Sequence, residues 1–330
     1  MSRNLSIDDW LHARLPRRVF SLAPASEDAS FRRYFRVTSA PDTWILMDAP
    51  PEHEDCRPFV AVAKLFGAAG VHVPRVIAED LDNGYLLLSD LGATTYLEAL
   101  NDANANDLYR AANQALLDIQ LASRPGVLPE YDRALLLREL RLFPDWYVAK
   151  HLGIALAPQQ ARSLDDTFEL ILANNLAQPQ VYVHRDYHSR NLMVTEPNPG
   201  ILDFQDAVYG PVTYDLASLY KDAYIAWSED RVIDWVARYW KAARSAGLPV
   251  HQDFGFFYRD FEWMGVQRHI KVLGIFARLF HRDGKERYLQ DMPLVMSYLR
   301  KACARYPELA PLSRLLDAFD RREPTAGYTF

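Results

Sequence analysis

The hydrophobic pattern of the chain changes near Gly92, and this change limits the folds that the chain can adopt. Before Gly92, short apolar and β-branched runs are bounded by Asp, Pro, Asn or Gly, which is typical of strands joined by turns. After Gly92, apolar residues recur mostly at helical spacing, as in residues 108–121 and 232–240. The sequence therefore predicts an α+β fold, with a small β-rich region over residues 1–90 and a larger helical region over residues 91–330.

A small antiparallel sheet with one helix is predicted for the β-rich region. Within residues 58–67, Phe59, Val62, Ala63 and Phe66 have helical spacing. The expected strands are residues 19–22, 34–38, 43–47 and 85–88.

The composition excludes several classes of protein. Of the 330 residues, 49% are hydrophobic and 24% are charged, which suits a globular protein with a substantial core and not a disordered chain. The net charge of −6 argues against a general nucleic-acid binder. Cys56 and Cys303 have no zinc-site spacing. Because there is no signal-peptide pattern and no apolar run near the roughly 20 residues that cross a bilayer, we expect a cytoplasmic protein with no membrane partner.

Residues 181–209 interrupt the helical region and carry a distinctive set of polar side chains. Residues 192–195 and 201–204 are expected as short strands, with turn-forming residues between them. A hairpin centred on Pro197 sets Asn191 opposite Asp203, because the two are equally far from the turn. The loop that precedes the first strand carries Asp186.

These side chains suit phosphoryl transfer from ATP. Amide and carboxylate oxygens are ligands that Mg²⁺ prefers, and the ion usually keeps phosphate and water as its other ligands. Asp186 then remains to orient a hydroxyl and take its proton. Such a division of roles is what phosphoryl transfer requires, because the metal neutralises phosphate charge while a base holds the attacking oxygen.

The motif His184-x-Asp186-x4-Asn191, followed by Ile-Leu-Asp203-Phe, resembles the paired motifs of the protein-kinase-like superfamily. The details of both motifs, together with Gly-Pro-x-x-Tyr-Asp215-Leu-Ala, are similar to the aminoglycoside phosphotransferase family of small-molecule kinases.

Within that family, three further strings are most similar to the bacterial anomeric kinases of N-acetylmuramate and N-acetylglucosamine. They are Ser30-Phe-Arg-Arg-Tyr-Phe-Arg36, Leu46-Met-Asp-Ala-Pro-Pro51 and Trp263-Met-Gly-Val-Gln-Arg-His-Ile-Lys271. The resemblance implies an acceptor sugar from cell-wall recycling, phosphorylated on its anomeric hydroxyl. An aminoglycoside or another small alcohol is the alternative acceptor.

The resemblance also implies a bilobal kinase-like fold, ATP and Mg²⁺ as cofactors, and roles for individual residues. Asp186 would be the catalytic base, while Asn191 and Asp203 would bind the metal. Asp215 would brace the catalytic loop through backbone hydrogen bonds, or serve only as a helix N-cap. His184 would support the loop from beneath.

The nucleotide contacts depart from the family pattern in one respect. The third strand reads Trp44-Ile-Leu-Met-Asp48, without the Lys or Arg that the family usually places there to hold the phosphates. We expect Ser26, Ser30 and Arg32 to contact the phosphates instead. Strand alternation would put Arg32 and Arg36 on one face and Arg33 on the other. The segment Ser89-Asp90-Leu91-Gly92 would link the two lobes and offer backbone groups to adenine.

Two features of the C-terminal half bear on the acceptor. The aromatic residues between Phe254 and Trp263 either stack on a sugar or form core. Arg268, His269 and Lys271 either recognise a carboxylate, such as the lactyl group of muramic acid, or form a solvated face.

Two other functions use the same residues. A metallohydrolase would take His184, Asp186 and His188 as metal ligands, together with Asp203 and Asp206. A nucleotide-binding pseudokinase would explain the missing base on the third strand. The presence of all three residues nearest the expected chemistry favours the active kinase.

Overall fold

The computed structural model describes residues 3–15, 19–26 and 31–320, and the chain divides into two compact units. The first unit is Met1–Ala99 with Asn191–Asp206, and the second is Leu100–Arg190 with Ala207–Phe330. The first is built mainly on a sheet and the second mainly on helices, so the predicted α+β composition is confirmed. As a statement about domains, the predicted division into residues 1–90 and 91–330 stays a prediction.

A five-stranded antiparallel sheet in the order β1-β2-β3-β5-β4 forms the base of the first unit. Every predicted strand overlaps an observed one, and β4 was not predicted. The strands are β1 (Ser21–Ser26), β2 (Arg33–Ser39), β3 (Asp42–Asp48), β4 (Val76–Asp80) and β5 (Tyr85–Ser89).

In the described part of this unit there are two longer helices, α1 (Arg3–His12) and α2 (Arg57–Ala68), besides the single turn α3 (Tyr96–Ala99). Helix α2 is the predicted one, and it buries the expected face. Helix α1 was not predicted, although Ile7, Trp10 and Leu11 have helical spacing and pack on apolar side chains of the sheet.

The predicted hairpin is present, but its register differs by one residue. Strands β7 (Leu192–Met193) and β8 (Gly200–Ile201) are short, and Leu192 pairs with Ile201. Leu202, and not Asp203, is therefore opposite Asn191, and its N–H donates to the Asn191 carbonyl at 2.9 Å. A Cβ at Gly200 would lie 2.8 Å from a Thr195 methyl carbon and 3.2 Å from the Cβ of Met193 on the paired strand, so a larger residue here would force its neighbours to shift.

Over its described residues, the second unit is helical apart from one strand pair, β6 (Gln180–Val183) with β9 (Val208–Pro211). A π-helix follows α5 at Phe143–His151, and two short 3₁₀ helices lie at Glu286–Asp291 and Pro307–Leu309. The α-helices are α4 (Ala105–Leu121), α5 (Arg133–Leu142), α6 (Pro158–Ala177), α7 (Tyr214–Tyr220), α8 (Glu229–Ser245), α9 (Phe254–Asp283), α10 (Met292–Arg305) and α11 (Ala310–Asp320).

Helix α9 is the central helix of this unit, with α5, α6, α7, α8 and α10 packed against it. It begins at Asp253, whose carboxylate accepts hydrogen bonds from the N–H groups of Gly255 and Phe256. It ends at Gly284, whose φ of 67° is the left-handed conformation that closes helices. Within the described residues, no helix combines the length and apolar character needed to cross a membrane.

Candidate active site

The loop between β6 and Asn191 carries Asp186 and is held by the carboxylate of Asp215. Asp215 lies in the first turn of α7 and accepts hydrogen bonds from the N–H groups of His184 at 2.7 Å and Arg185 at 3.0 Å. These are the predicted bracing bonds. Thr213, and not Asp215, occupies the N-cap position of α7.

Two further contacts fix the shape of this loop. Arg185 has a φ of 78°, a left-handed conformation that is uncommon for residues other than glycine. Its guanidinium pairs with Glu139 of α5 at 2.6 Å. His184 is fully buried, and its Nδ1 accepts a hydrogen bond from the Asp186 N–H at 3.2 Å, which fits the expected supporting role.

The carboxylate of Asp186 lies in a strongly cationic environment. Burial alone would raise its pKa, but the charges of nearby groups, chiefly Lys271, then His188, Arg268 and Arg185, lower it to about 2. Asp186 is therefore ionised at neutral pH.

The next turn of the loop is held by Asp222, which follows α7. Its carboxylate accepts hydrogen bonds from Ser189 N–H at 2.9 Å and Ser189 Oγ at 2.6 Å. His188 lies edge-on to the Tyr224 ring, with 5.4 Å between ring centroids, and its buried Nδ1 has no hydrogen-bond partner in the described structure. The guanidinium of Arg190 lies 3.7 Å from the Tyr224 ring centroid.

In the first unit, the hairpin brings Asn191 and Asp203 into contact. Asn191 Nδ2 donates to Asp203 Oδ2 at 3.2 Å, and Gln205 Nε2 donates to Asp203 Oδ1 at 2.7 Å. Asp203 has a φ of 61°, so the chain turns sharply at this residue. The predicted neighbourhood of Asn191 and Asp203 is thus confirmed despite the shifted register.

Arg32 precedes β2 and forms an ion pair with Glu54 at 2.9 Å, with both side chains largely buried. Burial lowers its pKa, but the total effect is an increase, because Tyr34, Glu54, Asp203 and Asp206 stabilise the charged form. Arg32 is therefore a cation near the Asp203 carboxylate.

The other two arginines of this segment have different partners. Arg36 donates to both carboxylate oxygens of Asp90, at 2.7 and 3.1 Å, and to the Gly92 carbonyl. Arg33 pairs with the buried carboxylate of Asp48. Arg32, in turn, interacts electrostatically with Asp203.

The remaining predicted nucleotide contacts occupy varied positions in the first unit. Ser26 ends β1 opposite Tyr34, while Ser30 lies outside the described residues. Ser89 ends β5, where its N–H and its hydroxyl both bond to the backbone of Arg75. Leu91 is buried, with its side chain near Gly200.

The two acceptor features lie on α9, largely in its buried part. Phe257, Phe261 and Trp263 are buried, which favours a core role for these members of the aromatic run. The solvated-face interpretation of the basic cluster is wrong, because Arg268, His269 and Lys271 are each buried.

Sequence reasoning missed several residues that shape these surroundings. Glu139 and Asp222 are distant in sequence from the residues that they hold, so no local pattern identifies them. Gln205 carried a local signal, since it lies two residues after Asp203 within the recognised motif. Glu54 carried none.

A kinase-like phosphotransferase is the class of protein that this fold and these residues define. The model of the Phosphotransferase enzyme family matches residues 21–254, more than half of the chain, and the chain belongs to this family. The predicted fold class and the predicted phosphotransferase activity are therefore confirmed. The metallohydrolase alternative has no support from the family.

Curated relatives match over nearly their full length. The chain is 56% identical to the N-acetylmuramate/N-acetylglucosamine kinase of Pseudomonas aeruginosa, with 96% of each chain covered. It is 50% identical to the protein of the same name from Neisseria meningitidis serogroup B, with 100% of each chain covered.

Solved structures share the fold at low sequence identity. Choline kinase from Cryptosporidium parvum has a TM-score of 0.65 at 11% identity, with 95% of this chain and 99% of that chain covered. A choline/ethanolamine kinase family protein from Mesorhizobium loti has a TM-score of 0.63 at 13% identity, with 95% and 100% covered.

Proposed function

We propose that this protein transfers the γ-phosphoryl group of ATP to the anomeric hydroxyl of N-acetylmuramate or N-acetylglucosamine. Three curated relatives, between 50% and 56% identical, are named as kinases for these sugars, which supports this acceptor class. In the cytoplasm, such a reaction would reuse sugars released from the cell wall. An aminoglycoside is the alternative acceptor, and the names of these relatives give it less support.

The environment of Asp186 is the observation that carries this proposal. The carboxylate is ionised, and its loop is held by Asp215. An ionised carboxylate orients an acceptor hydroxyl and accepts its proton while the oxygen bonds to the γ-phosphorus of ATP, whose bond to the β-phosphate oxygen breaks to release ADP. Its low pKa makes Asp186 a weak base, so its first contribution is to position the hydroxyl.

Asn191 and Asp203 are proposed to hold Mg²⁺. The donor set fits this hard cation, since amide and carboxylate oxygens are present, and the buried Oε1 of Gln205 has no hydrogen-bond partner within the described residues. Bound Mg²⁺ would neutralise charge on the phosphates of ATP.

Arg32 is proposed to take the place of the missing base on the third strand. Its ion pair with Glu54 fixes the guanidinium, as the lysine–glutamate pair does in protein kinases. Ser26 and Ser30 would add phosphate contacts. Because the Ser89 N–H is engaged by Arg75, the carbonyl of Ser89 and the backbone of Leu91 are the proposed adenine contacts.

A screen of ATP consumption tests the acceptor class. The unmodified protein is incubated with N-acetylmuramate, N-acetylglucosamine, an aminoglycoside, choline or homoserine, with Asp186→Asn as the control for contaminating kinases. We expect turnover with the two N-acetyl sugars. Turnover with an aminoglycoside alone would refute the sugar assignment, and Mg-ATP binding without turnover of any acceptor would favour the pseudokinase.

A further inference from the structure

Arg268 is a buried cation that has no carboxylate partner among the described residues. It lies on α9 and is only 4% exposed, and its Nε donates to the hydroxyl of Ser218. Within the described part of the chain, its guanidinium forms no ion pair. Two buried lysines of the same unit differ in this respect, since Lys271 pairs with Glu139 at 3.2 Å and Lys221 pairs with Glu262 at 3.1 Å.

The unused donors of Arg268 remain accessible. Only Nε has a hydrogen bond among the described residues, so the two terminal nitrogens have none. Neither terminal nitrogen is fully enclosed by protein atoms. Nδ1 of His188 differs, because it is fully enclosed and has no partner among the described residues. The terminal nitrogens therefore keep contact with solvent, although the side chain as a whole is buried.

Arg268 lies close to the loop that carries the proposed base, because the Ser218 hydroxyl that accepts from its Nε lies 3.5 Å from the carbonyl oxygen of Arg185, the residue before Asp186. Its charge is stabilised by Tyr214 and by the carboxylates of Asp186 and Asp222, and it helps in turn to lower the pKa of Asp186. His188 lies in the same neighbourhood, and burial lowers the pKa of its ring, which is therefore neutral at neutral pH. Its unpartnered Nδ1 adds a polar group that a ligand can satisfy.

A planar guanidinium with free terminal donors suits a carboxylate. Burying a guanidinium is costly unless its hydrogen bonds are made, and a carboxylate accepts two parallel N–H bonds in matching geometry. A small acceptor held against Asp186 would bring its substituents near Arg268. Of the two proposed acceptors, N-acetylmuramate carries a lactyl carboxylate, whereas N-acetylglucosamine has a hydroxyl at that carbon.

We infer that Arg268 binds the carboxylate of a carboxylated acceptor sugar and so sets the preference for N-acetylmuramate over N-acetylglucosamine. This role rests on the proposed function, and it adds a specificity residue to it. No covalent step is involved, because the contact only orients the sugar.

Kinetics on the two sugars separate this role from general support of Asp186. In Arg268→Gln, we expect kcat/KM for N-acetylmuramate to fall about 10- to 100-fold, as for a lost charged hydrogen bond, and to fall at least about 10-fold less for N-acetylglucosamine. Lys271→Gln is the matched control, because this partnered cation also acts on Asp186. Lys271→Gln should lower kcat/KM for both sugars by the same factor.

A second experiment needs no variant and is unaffected if Arg268→Gln does not fold. The methyl ester of N-acetylmuramate keeps the lactyl group but lacks its charge. For the unmodified protein, we expect kcat/KM for the ester to be at least about 10-fold lower than kcat/KM for the acid.

Equal losses on both sugars in Arg268→Gln, or equal use of ester and acid, would overturn the role of Arg268 and leave the sugar kinase intact. No turnover of either sugar by the unmodified protein would overturn the proposed function and this role with it.

Discussion

Asp186 and Asp203 are the two acidic groups of the proposed chemistry, and their surroundings differ in kind. Asp186 lies among charged groups, with Lys271 and Arg268 among those that lower its pKa. The two oxygens of Asp203 instead accept hydrogen bonds from the neutral amides of Asn191 and Gln205.

The different surroundings suit Asp186 to accept a proton and Asp203 to bind a metal ion. Cations around Asp186 compensate its charge within the protein, so the carboxylate is ionised and ready for a neutral hydroxyl. The neutral amides orient the Asp203 carboxylate through hydrogen bonds and the charge of Arg32 also acts on it, so we expect this carboxylate to bind a metal ion.

The largest effect is expected from Asp186→Asn, which removes the proton acceptor but keeps the shape of the side chain. We expect kcat to fall by about 10³-fold or more, with ATP affinity largely unchanged. Steady-state kinetics and calorimetry measure the two quantities. A kcat within 10-fold of the unmodified protein would exclude Asp186 as the base.

Asp203→Asn should weaken Mg²⁺ binding without removing the proton acceptor. In this variant, we expect the Mg²⁺ concentration for half-maximal activity to rise about 100-fold or more. In Gln205→Leu, we expect a rise of about 10-fold, because Gln205 orients the metal ligand Asp203 and does not replace it. Titration of Mg²⁺ at saturating ATP measures both. An unchanged Mg²⁺ requirement in Asp203→Asn would show that another group binds the ion.

The pKa of Asp215 is expected to make the stability of the protein depend on pH. Desolvation raises its pKa from 3.8 to about 7, despite its two backbone hydrogen bonds. The folded protein therefore holds this proton more tightly than the unfolded chain, and the resulting stabilisation is complete below pH 3.8 and is lost as the pH rises to about 7.

Asp215→Asn should remove this dependence. Between pH 5 and pH 7, we expect the unmodified protein to lose about 2 kcal/mol of unfolding free energy relative to the variant. Chemical denaturation at both pH values measures the difference. Parallel behaviour of the two proteins would show that Asp215 has an ordinary pKa.

The smallest effect is expected at Arg32. Because its charge acts near Asp203, Arg32→Gln should raise the KM for ATP about 10-fold. Arg33→Gln is the matched control, since Arg33 pairs with Asp48, and it should change this KM less than about 3-fold. Equal KM values for all three proteins would remove Arg32 from the phosphate site.

The contact between Asn191 and Asp203 could be predicted because turn-forming residues between two short strands limit the pairing to a narrow choice. The register was missed by one residue because β7 and β8 each have two residues, and the left-handed turn at Asp203 restores the contact. A backbone conformation of this kind has no hydrophobic pattern, so sequence periodicity does not reveal it.

The electrostatics of Asp186 could not be predicted in the same way. Lys271 follows Asp186 by 85 positions, and its partner Glu139 precedes Asp186 by 47, so only the packed helices bring them together. Burial of Arg268 on α9 was missed for a related reason. From the sequence of the helix alone, its basic residues are expected to face solvent, because basic side chains are mostly exposed. Only the packing of the neighbouring helices shows that Arg268 is buried.

Phosphorus NMR of the product made from N-acetylmuramate and Mg-ATP tests the central claim most directly. The account predicts one phosphomonoester signal, coupled to the anomeric proton of the sugar, and no such signal with Asp186→Asn. A phosphate coupled to the protons at C6, or the absence of any phosphorylated sugar, would contradict it.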